Sequence, residues 1–283
     1  MEPKYTPQGY ASTSAILTTL AIGILASLIL PVFYIILGRL IPNIWFIAII
    51  AFLLGLGLGF FIDLGVKIGK LRNKKIVTII AIFCGLFAFY IQWVLFDTLA
   101  YSRKGFTFNL NGNDLKFLAQ DFFFLFTHPH ILFQEITNMN EIGTFRIESI
   151  GIISGLLLWV IWAGEFIVIL GGAIFGVLNG QVIHPYSEIN DNWMKRRKIT
   201  HRIPLVENKE TIVEALKRRN FTVLQDQPSL INATDYSEVL IFESTGDPTK
   251  YISVINVSNP TGKAKDKKLK SILKFYPLEN ANI

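Results

Sequence analysis

The sequence has little charge, a single cysteine and only four histidines, and each shortage excludes a class of structure. Charged residues make up 17% of the 283 positions, whereas a soluble domain carries about 25%. The lone cysteine, Cys84, excludes an intrachain disulfide and, within an apolar run, is interpreted as a small packing residue. Because cysteine and histidine nowhere share the spacing of a zinc site, we predict no metal and no cofactor.

The few charges are unevenly distributed, and this predicts the domain organisation. They are sparse up to Gly180 and dense from Lys195 onwards. We therefore predict a transmembrane domain at residues 1–180, a basic juxtamembrane connector at 181–204 and a cytoplasmic domain at 205–283. The predicted fold class is an α-helical membrane bundle of four transmembrane helices, followed by a small C-terminal cytoplasmic α+β domain.

Long apolar runs are abundant, and four of them can cross a bilayer. About 20 apolar residues are needed for one helical crossing. The runs that satisfy this length are residues 14–38, 44–66, 76–96 and 150–178. The first is interpreted as a retained helix, since no small-residue cleavage site closes it. The fourth would be about 43 Å long as a helix, so we expect it to tilt or protrude.

Lysine and arginine predict the orientation of these spans. They cluster between the second and third spans (Lys67, Lys70, Arg72, Lys74, Lys75) and after the fourth (Lys195, Arg196, Arg197, Lys198, Arg202). The positive-inside rule places both clusters, and hence both termini, in the cytoplasm. Trp45, Trp93 and Trp159 agree, because they fall towards the outer ends of their spans, where indole rings favour the interface.

Residues 97–148 form the predicted outer segment, which contains apolar stretches too short to span. LKFLAQDFFFLF predicts a short helix that stops near Pro129, and HILFQEI predicts a second one. Both are expected at the outer interface or as a re-entrant element. His128 and His130, with Glu135 nearby, are interpreted as interfacial residues around a helix break in preference to a metal site.

Glu165 lies in the fourth span, where an ionised acid costs a few kcal/mol. One hypothesis makes it a proton- or cation-handling group, and the other a protonated acid that fixes helix packing. Ser27, Tyr90 and Gln92 are candidate hydrogen-bond partners, and Ser27 fits best by depth. Glu165, Gln92 and Asp63 are the polar candidates inside the spans. Asp63 is interpreted as structural, because Lys67 follows it at i+4.

Small residues at four-residue spacing predict close helix packing. The glycines with this spacing are Gly55 and Gly59, Gly65 and Gly69, and Gly172 and Gly176. Such pairs let another helix approach closely, and we favour this role over the lining of a pore.

Several stretches together resemble a known family. They are LGRLIPNIWF, GLGLGFF, GKLRNKK with GLFAFYIQW, and NMNEIGTF leading into SGLLLWVIWAGEFIVILGG, which together cover most of residues 38–176. The pattern is similar to a widespread family of uncharacterised bacterial multi-span membrane proteins with no assigned activity. The resemblance implies a multi-pass protein of the bacterial plasma (inner) membrane, and it suggests that Trp159, Trp162 and Glu165 form a patterned unit.

The C-terminal region shows helix and strand patterns. Residues 208–220 predict an amphipathic helix with Asn208 as N-cap, and FTVLQD is expected to follow as a strand. YSEVLIFES and KYISVINVS alternate apolar and polar residues and predict a β-hairpin through TGDPT. The lysine-rich KAKDKKLKSILKFYPL is expected to be a helix or an extended tail.

The basic connector is the predicted contact surface. Its cations Lys195, Arg196, Arg197 and Lys198 are expected to bind lipid headgroups or a partner. Nucleic acid is disfavoured, because a basic run directly after a span is already explained by topology. The expected partners are the lipid bilayer, a cytoplasmic protein and a second copy of the chain.

These observations favour a membrane protein without enzymatic activity. No Ser/His/Asp, Cys/His or paired-carboxylate arrangement has a spacing typical of catalysis. We therefore predict a sensor, adaptor or assembly subunit whose cytoplasmic domain binds a partner, a lipid surface or a small ligand. The alternative is an oligomeric transporter or channel subunit that uses Glu165 in proton or cation handling.

Overall fold

The computed structural model describes residues 4–41, 43–100, 112–147, 151–224, 233–259, 266 and 268–279, without the side chains of 100, 145–147 and 198–201. The chain divides into two units. Gly9–Val182 form the first, and Met1–Gln8 join Ile183–Ile283 in the second. A short N-terminal stretch thus belongs with the C-terminal domain.

Four long helices dominate the first unit, as predicted. They are α1 (Thr13–Leu40), α2 (Ile44–Gly69), α3 (Lys74–Ala100) and α6 (Gly155–Leu178). All four are long and apolar enough to cross a membrane, which suggests a multi-pass membrane protein. Ser12 caps α1 by accepting a hydrogen bond from Ala15 N, and α1 continues through Pro31.

The predicted start of the fourth long helix was wrong. Instead of beginning near residue 150, α6 begins at Gly155, because the preceding residues form a small hairpin. Strand β1 (Phe145–Ile147) pairs antiparallel with β2 (Gly151–Ile153). The 24 residues of α6 rise about 36 Å at 1.5 Å per residue. The candidate crossing that begins with α6 still extends over 29 residues, Gly155–Ile183, so the tilt or protrusion stays a prediction.

The segment between α3 and α6 contains the two short helices that the sequence predicts. They are α4 (Gly112–Thr127) and α5 (Pro129–Ile142). Pro129 begins α5, where a missing N–H is tolerated. Residues 101–111 and 148–150 of this segment lie outside the described part of the chain.

Apolar side chains of the long helices pack together between them. Helix α2 packs along both α1 and α6, and α3 packs against α1 and α6. Leu54 and Leu58, one turn apart on α2, meet Ala88 of α3 and Ile169 of α6 in this core. Because the buried side chains recur at helical spacing, the same pattern sets which faces of α2 and α6 meet.

The second unit is an α+β domain built on a four-stranded antiparallel sheet of order β5-β6-β7-β8. Its strands are β5 (Lys195–Ile203), β6 (Asp235–Glu243), β7 (Thr249–Ser258) and β8 (Lys268–Glu279). A small hairpin of β3 (Tyr186–Ser187) and β4 (Asn192–Trp193) precedes the sheet, and helix α7 (Lys209–Lys217) follows β5.

Several predictions for this domain are confirmed and others were wrong. The β6–β7 hairpin and helix α7, capped by Asn208, are as predicted. FTVLQD was predicted as a strand, but Phe221–Leu224 form a 3-10 helix because the Asn220 side chain accepts a hydrogen bond from Thr222 N. The lysine-rich segment after residue 267 is strand β8, which excludes the helix alternative.

The basic connector is also different from the prediction. Its cationic run is not a linker but strand β5, at one edge of the described sheet. Charged side chains are typical of edge strands, because they oppose pairing with another chain. A basic run after a span is equally expected from membrane topology, which is why the sequence pattern pointed to a linker.

The sheet has an apolar cluster on each face. On one face, Ile241 and Ile252 pack with Leu216 of α7. On the other, Phe242 and Phe275 pack with Tyr5 from the N-terminal stretch. Tyr5 N donates to Phe275 O at 3.0 Å, and Phe275 occupies an irregular part of β8 with φ 51°. This irregularity turns the Phe275 carbonyl towards Tyr5 instead of the neighbouring strand.

Candidate functional sites: a carboxyl held by three helices and a basic pocket

Glu165 binds side chains from two other long helices. Its Oε1 accepts a hydrogen bond from Tyr34 of α1 at 2.5 Å and another from Gln92 Nε2 of α3. Tyr34 is 7% exposed and Gln92 is 5% exposed. One carboxyl oxygen therefore joins α1, α3 and α6.

The sequence identified one of these partners and missed the other. Gln92 was a candidate, but Ser27 instead donates to Gly23 O at 2.8 Å and Cys84 O at 3.0 Å. Tyr90 donates to Phe126 O at 2.7 Å. Tyr34 lies two helical turns beyond Ser27 on the same face of α1. The shared face and the long reach of a phenol could have identified Tyr34 as a candidate partner of Glu165.

The cluster has spare acceptor capacity. Both hydrogen bonds end on the same oxygen of Glu165, and Gln92 Oε1 is buried without a partner among the described residues. A site rich in acceptors suits either a proton on the carboxyl group or a small cation, because both supply what the acceptors lack. The geometry is thus compatible with each hypothesis for Glu165.

Aromatic side chains pack together on the turns of α6 that precede Glu165. Trp162 packs edge-to-face on Trp93 with ring centroids 4.7 Å apart, and Trp159 packs on Trp162 at 5.2 Å. Trp93 was expected at a lipid interface, but it is only 8% exposed because it packs inside the helical unit. These rings line an apolar cavity of about 460 Å³ between α3, α5 and α6.

Glycines of α2 and α6 face one another at the closest approach of these helices. A Cβ atom on Gly172 would lie 3.1 Å from Gly55 Cα, and one on Gly176 would lie 2.9 Å from Gly59 Cα. Distances below 3.4 Å are tighter than ordinary contacts of a Cβ atom. The backbones approach this closely because neither helix has a side chain there.

The second glycine pair of α2 faces α1. A Cβ atom on Gly65 would lie 2.8 Å from Thr19 Cα, and one on Gly69 would lie 2.9 Å from Ala15 O. The two glycine pairs of α2 therefore contact different helices, so α2 has a close neighbour on each side.

Asp63 lies where α6 ends. Its Oδ1 accepts a hydrogen bond from Gln181 N at 2.5 Å, and Gln181 begins a short 3-10 helix (Gln181–Ile183). A carboxylate at the start of a helix satisfies a backbone N–H that has no partner within the helix. The role of Asp63 is therefore to fix the chain as it leaves α6.

A polar pocket of about 700 Å³ lies beside strand β5 in the C-terminal domain. The strand β5, the β3–β4 hairpin and the β6–β7 turn provide its walls. The charged residues that line it are Lys195, Arg196, Arg197, Lys250, Glu243 and Asp247. The predicted contact residues Lys195, Arg196 and Arg197 thus meet at one pocket, whereas the Lys198 side chain lies outside the described residues.

Hydrogen bonds between the two turns stiffen this pocket. Asn190 Nδ2 donates to Thr245 O at 2.8 Å and to Ser244 Oγ at 2.9 Å. Ser187, which is 0% exposed, donates to Asp247 Oδ2 at 2.6 Å. The β3–β4 hairpin is therefore tied to the β6–β7 turn, and the pocket walls are preformed.

Ion pairs set the charge of the pocket. Arg197 Nε lies 2.6 Å from Glu243 Oε1, and Lys250 Nζ lies 3.3 Å from Glu243 Oε2. The hydrogen bond from Arg197, helped by Lys250, lowers the pKa of Glu243 despite partial burial. Glu243 thus stays ionised between two cations.

His184 lies on the opposite face of the sheet from α7. Its ring is 6.0 Å from that of Phe242 and 5.8 Å from that of Phe275. Burial lowers the pKa of His184, and the nearby Lys274 and Arg196 lower it further. The fold therefore favours the neutral imidazole.

The histidines of the segment between α3 and α6 are held by local contacts. The His128 ring stacks on Phe124 at 4.4 Å, and its Nδ1 lies 3.0 Å from Thr127 Oγ1. Within the described ranges, His, Cys, Asp and Glu form no group of three or more that could hold a metal ion.

No protein-family model matches the chain, and no curated protein and no solved structure is significantly similar to it. The resemblance to the family of bacterial multi-span proteins therefore stays a prediction.

Proposed function

We propose that the protein is a multi-pass protein of the bacterial inner membrane, with both termini in the cytoplasm and a C-terminal domain that acts as a non-enzymatic binding module. In this role it is a sensor, adaptor or assembly subunit that binds an anionic partner or surface. The observation that carries the proposal is the preformed pocket beside β5, where exposed cations gather around hydrogen-bonded turns.

Two features support the membrane topology. The long helices expose large apolar side chains, which a bilayer would cover (Leu17 58%, Phe33 58%, Phe60 65%, Ile79 64%, Leu156 81%). The stretch before α1 belongs to the same unit as the domain after α6, as an even number of crossings requires. The lysine and arginine clusters then favour the cytoplasmic side for both.

The binding role can be tested in living cells with a photo-crosslinking amino acid. We expect adducts from position 195 on β5 and none from position 217 on α7, which is also an exposed lysine but does not line the pocket. Mass spectrometry of the adduct would identify the partner. Equal crosslinking from both positions, or none from 195, would contradict a binding role for β5.

A second candidate function rests on the Glu165 cluster. Tyr34 and Gln92 converge on this carboxyl, and the unsatisfied Gln92 Oε1 leaves room for a proton or cation. Four spans provide little wall for a pathway, so this function also requires a homo-oligomer. In proteoliposomes, Glu165→Gln should abolish a proton or cation flux that Asp63→Asn retains. The absence of flux in the unmutated protein would refute this alternative.

A further inference from the structure

We infer that the pocket beside β5 binds a phosphate monoester, either as a soluble metabolite or as a lipid headgroup. This inference rests on the proposed binding role of β5 and names the chemistry of its ligand.

The acids of the pocket are already occupied. Glu243 is shared between Arg197 and Lys250. Asp247 accepts hydrogen bonds from Ser187 Oγ at 2.6 Å and Thr249 N at 2.9 Å. Both oxygens of each carboxylate therefore already accept a hydrogen bond or take part in an ion pair.

Lys195 and Arg196 are the two cations of the pocket that these acids do not bind. Both are exposed at the pocket, and neither forms an ion pair with an acid of the described residues. Four cations against two acids leave an excess of two positive charges around the pocket. A phosphate monoester carries about −1.5 to −2 charges at pH 7, whereas a carboxylate carries one. The phosphate monoester is thus the better electrostatic match.

The donors of the pocket also suit phosphate. Arginine presents several N–H groups in a planar fork that matches phosphate oxygens, and lysine adds a compact charge. The turns that carry the polar walls are hydrogen-bonded to each other, so little conformational freedom is lost on binding. The volume of about 700 Å³ leaves room for the organic group that bears the phosphate.

The test uses the full-length protein in nanodiscs and calorimetric titration with glycerol 3-phosphate. Glycerate serves as the monoanionic comparison. We expect glycerol 3-phosphate to bind more tightly than glycerate, and Lys195→Gln/Arg196→Gln to weaken its binding about tenfold or more, since charged hydrogen bonds are lost. Both substitutions replace exposed side chains, so the fold should be kept.

The matched control is Lys217→Gln/Arg218→Gln, which removes another consecutive lysine and arginine, at the C-terminal end of α7. It should bind glycerol 3-phosphate as the unmutated protein does. An equal loss in both double variants would show a general charge effect and overturn the inference.

Nanodisc composition distinguishes the two sources of phosphate. If the ligand is a lipid headgroup, nanodiscs that contain phosphatidic acid should block glycerol 3-phosphate binding, whereas phosphatidylcholine nanodiscs should permit it. If the ligand is soluble, both nanodiscs should give the same affinity. Absence of binding in phosphatidylcholine nanodiscs would overturn the inference, while crosslinking of a partner at position 195 would still support the binding role of β5.

Discussion

Glu165 shows how one side chain can set the rotation of three helices. A carboxyl group in an apolar unit requires hydrogen-bond donors, and only certain helix rotations bring Tyr34 and Gln92 to it. Apolar packing alone tolerates small rotations, since one methyl group replaces another at little cost. The directional bonds at Glu165 therefore select one arrangement of α1, α3 and α6.

The hydrogen bond between Tyr34 and Glu165 should contribute measurably to stability. We expect a double-mutant cycle of Tyr34→Phe and Glu165→Leu, which removes the acceptor, to give a coupling energy of about 0.6 kcal/mol, and up to about 1.7 kcal/mol, as between membrane helices. The free energy of unfolding is measured in mixed micelles. The control cycle pairs Tyr90→Phe with Glu165→Leu, because the Tyr90 hydroxyl donates to Phe126 O instead of Glu165. A coupling as large in the control would contradict the assignment.

His184 should make the C-terminal domain sensitive to mild acid. Its pKa is lowered in the fold by burial and by Lys274 and Arg196, so the unfolded chain binds a proton more readily. The corresponding stability is fully present above about pH 6.5, the ordinary value for histidine, and is lost as the pH falls through the lower folded value.

We therefore expect the Tm of the unmutated protein to fall between about pH 7.5 and pH 5.5 more steeply than that of His184→Gln. Thermal unfolding followed by circular dichroism at several pH values measures the slope. His130→Gln serves as the control, because His130 is an exposed residue of α5, and it should keep the slope of the unmutated protein. Identical slopes in all three proteins would contradict the prediction.

At the residue scale, the sequence predicted that Glu165 needs a hydrogen-bond donor better than it predicted which residues donate. A buried acid demands a donor, and Gln92 was identified on that ground. Ser27 was favoured by depth, yet its hydroxyl is used by Gly23 O and Cys84 O. Depth along a helix follows from residue number, whereas the facing neighbour depends on helix rotation and packing, which a single sequence does not specify.

The α2–α6 pair illustrates packing at the scale of whole elements. Glycines one turn apart on each helix oppose each other, so the helices meet backbone to backbone. In lipid, helices gain no hydrophobic free energy from association, and close van der Waals contact takes its place. The apolar residues around the glycines, such as Ile169 and Leu54, complete the contact between α2 and α6.

Two adjacent glycines of α6 should respond oppositely to the same substitution. Gly172→Ala should destabilise the protein by about 1–3 kcal/mol, because its Cβ would lie 3.1 Å from Gly55. Gly171→Ala should be neutral or stabilising, because a Cβ there meets open space. Unfolding free energies in mixed micelles provide the measurement. Equal effects at both positions would show that the contact between α2 and α6 does not depend on glycine.

At the element scale, periodicity was a reliable guide where one interpretation was available. The four long helices and the β6–β7 hairpin followed from apolar runs and alternation. The ends of elements were less predictable. Gly151–Ile153 continue the apolar run of α6 but pair as strand β2, and the cations of β5 fit a linker as well as an edge strand. In both cases tertiary pairing overrides a local pattern.

At the scale of the whole molecule, the proposed topology makes a direct labelling prediction. In a Cys84→Ala background, Lys116→Cys on α4 should react with a membrane-impermeant thiol reagent added to intact cells. Glu210→Cys on α7 should react only after permeabilisation, because the C-terminal domain is expected in the cytoplasm. Both positions are exposed. Reaction of residue 210 in intact cells would invert the topology and remove the cytoplasmic binding module.

The bond between Tyr5 and Phe275 has a consequence for how the protein is made. During synthesis Tyr5 emerges before α1, α2, α3 and α6, whereas Phe275 emerges after all four of them. Tyr5 therefore waits for its partner while α1, α2, α3 and α6 are made, and the second face of the sheet, which is formed by later residues, can be completed only afterwards. Its closure is a late maturation step, and a change ahead of α1 would be felt at the distant end of the polypeptide.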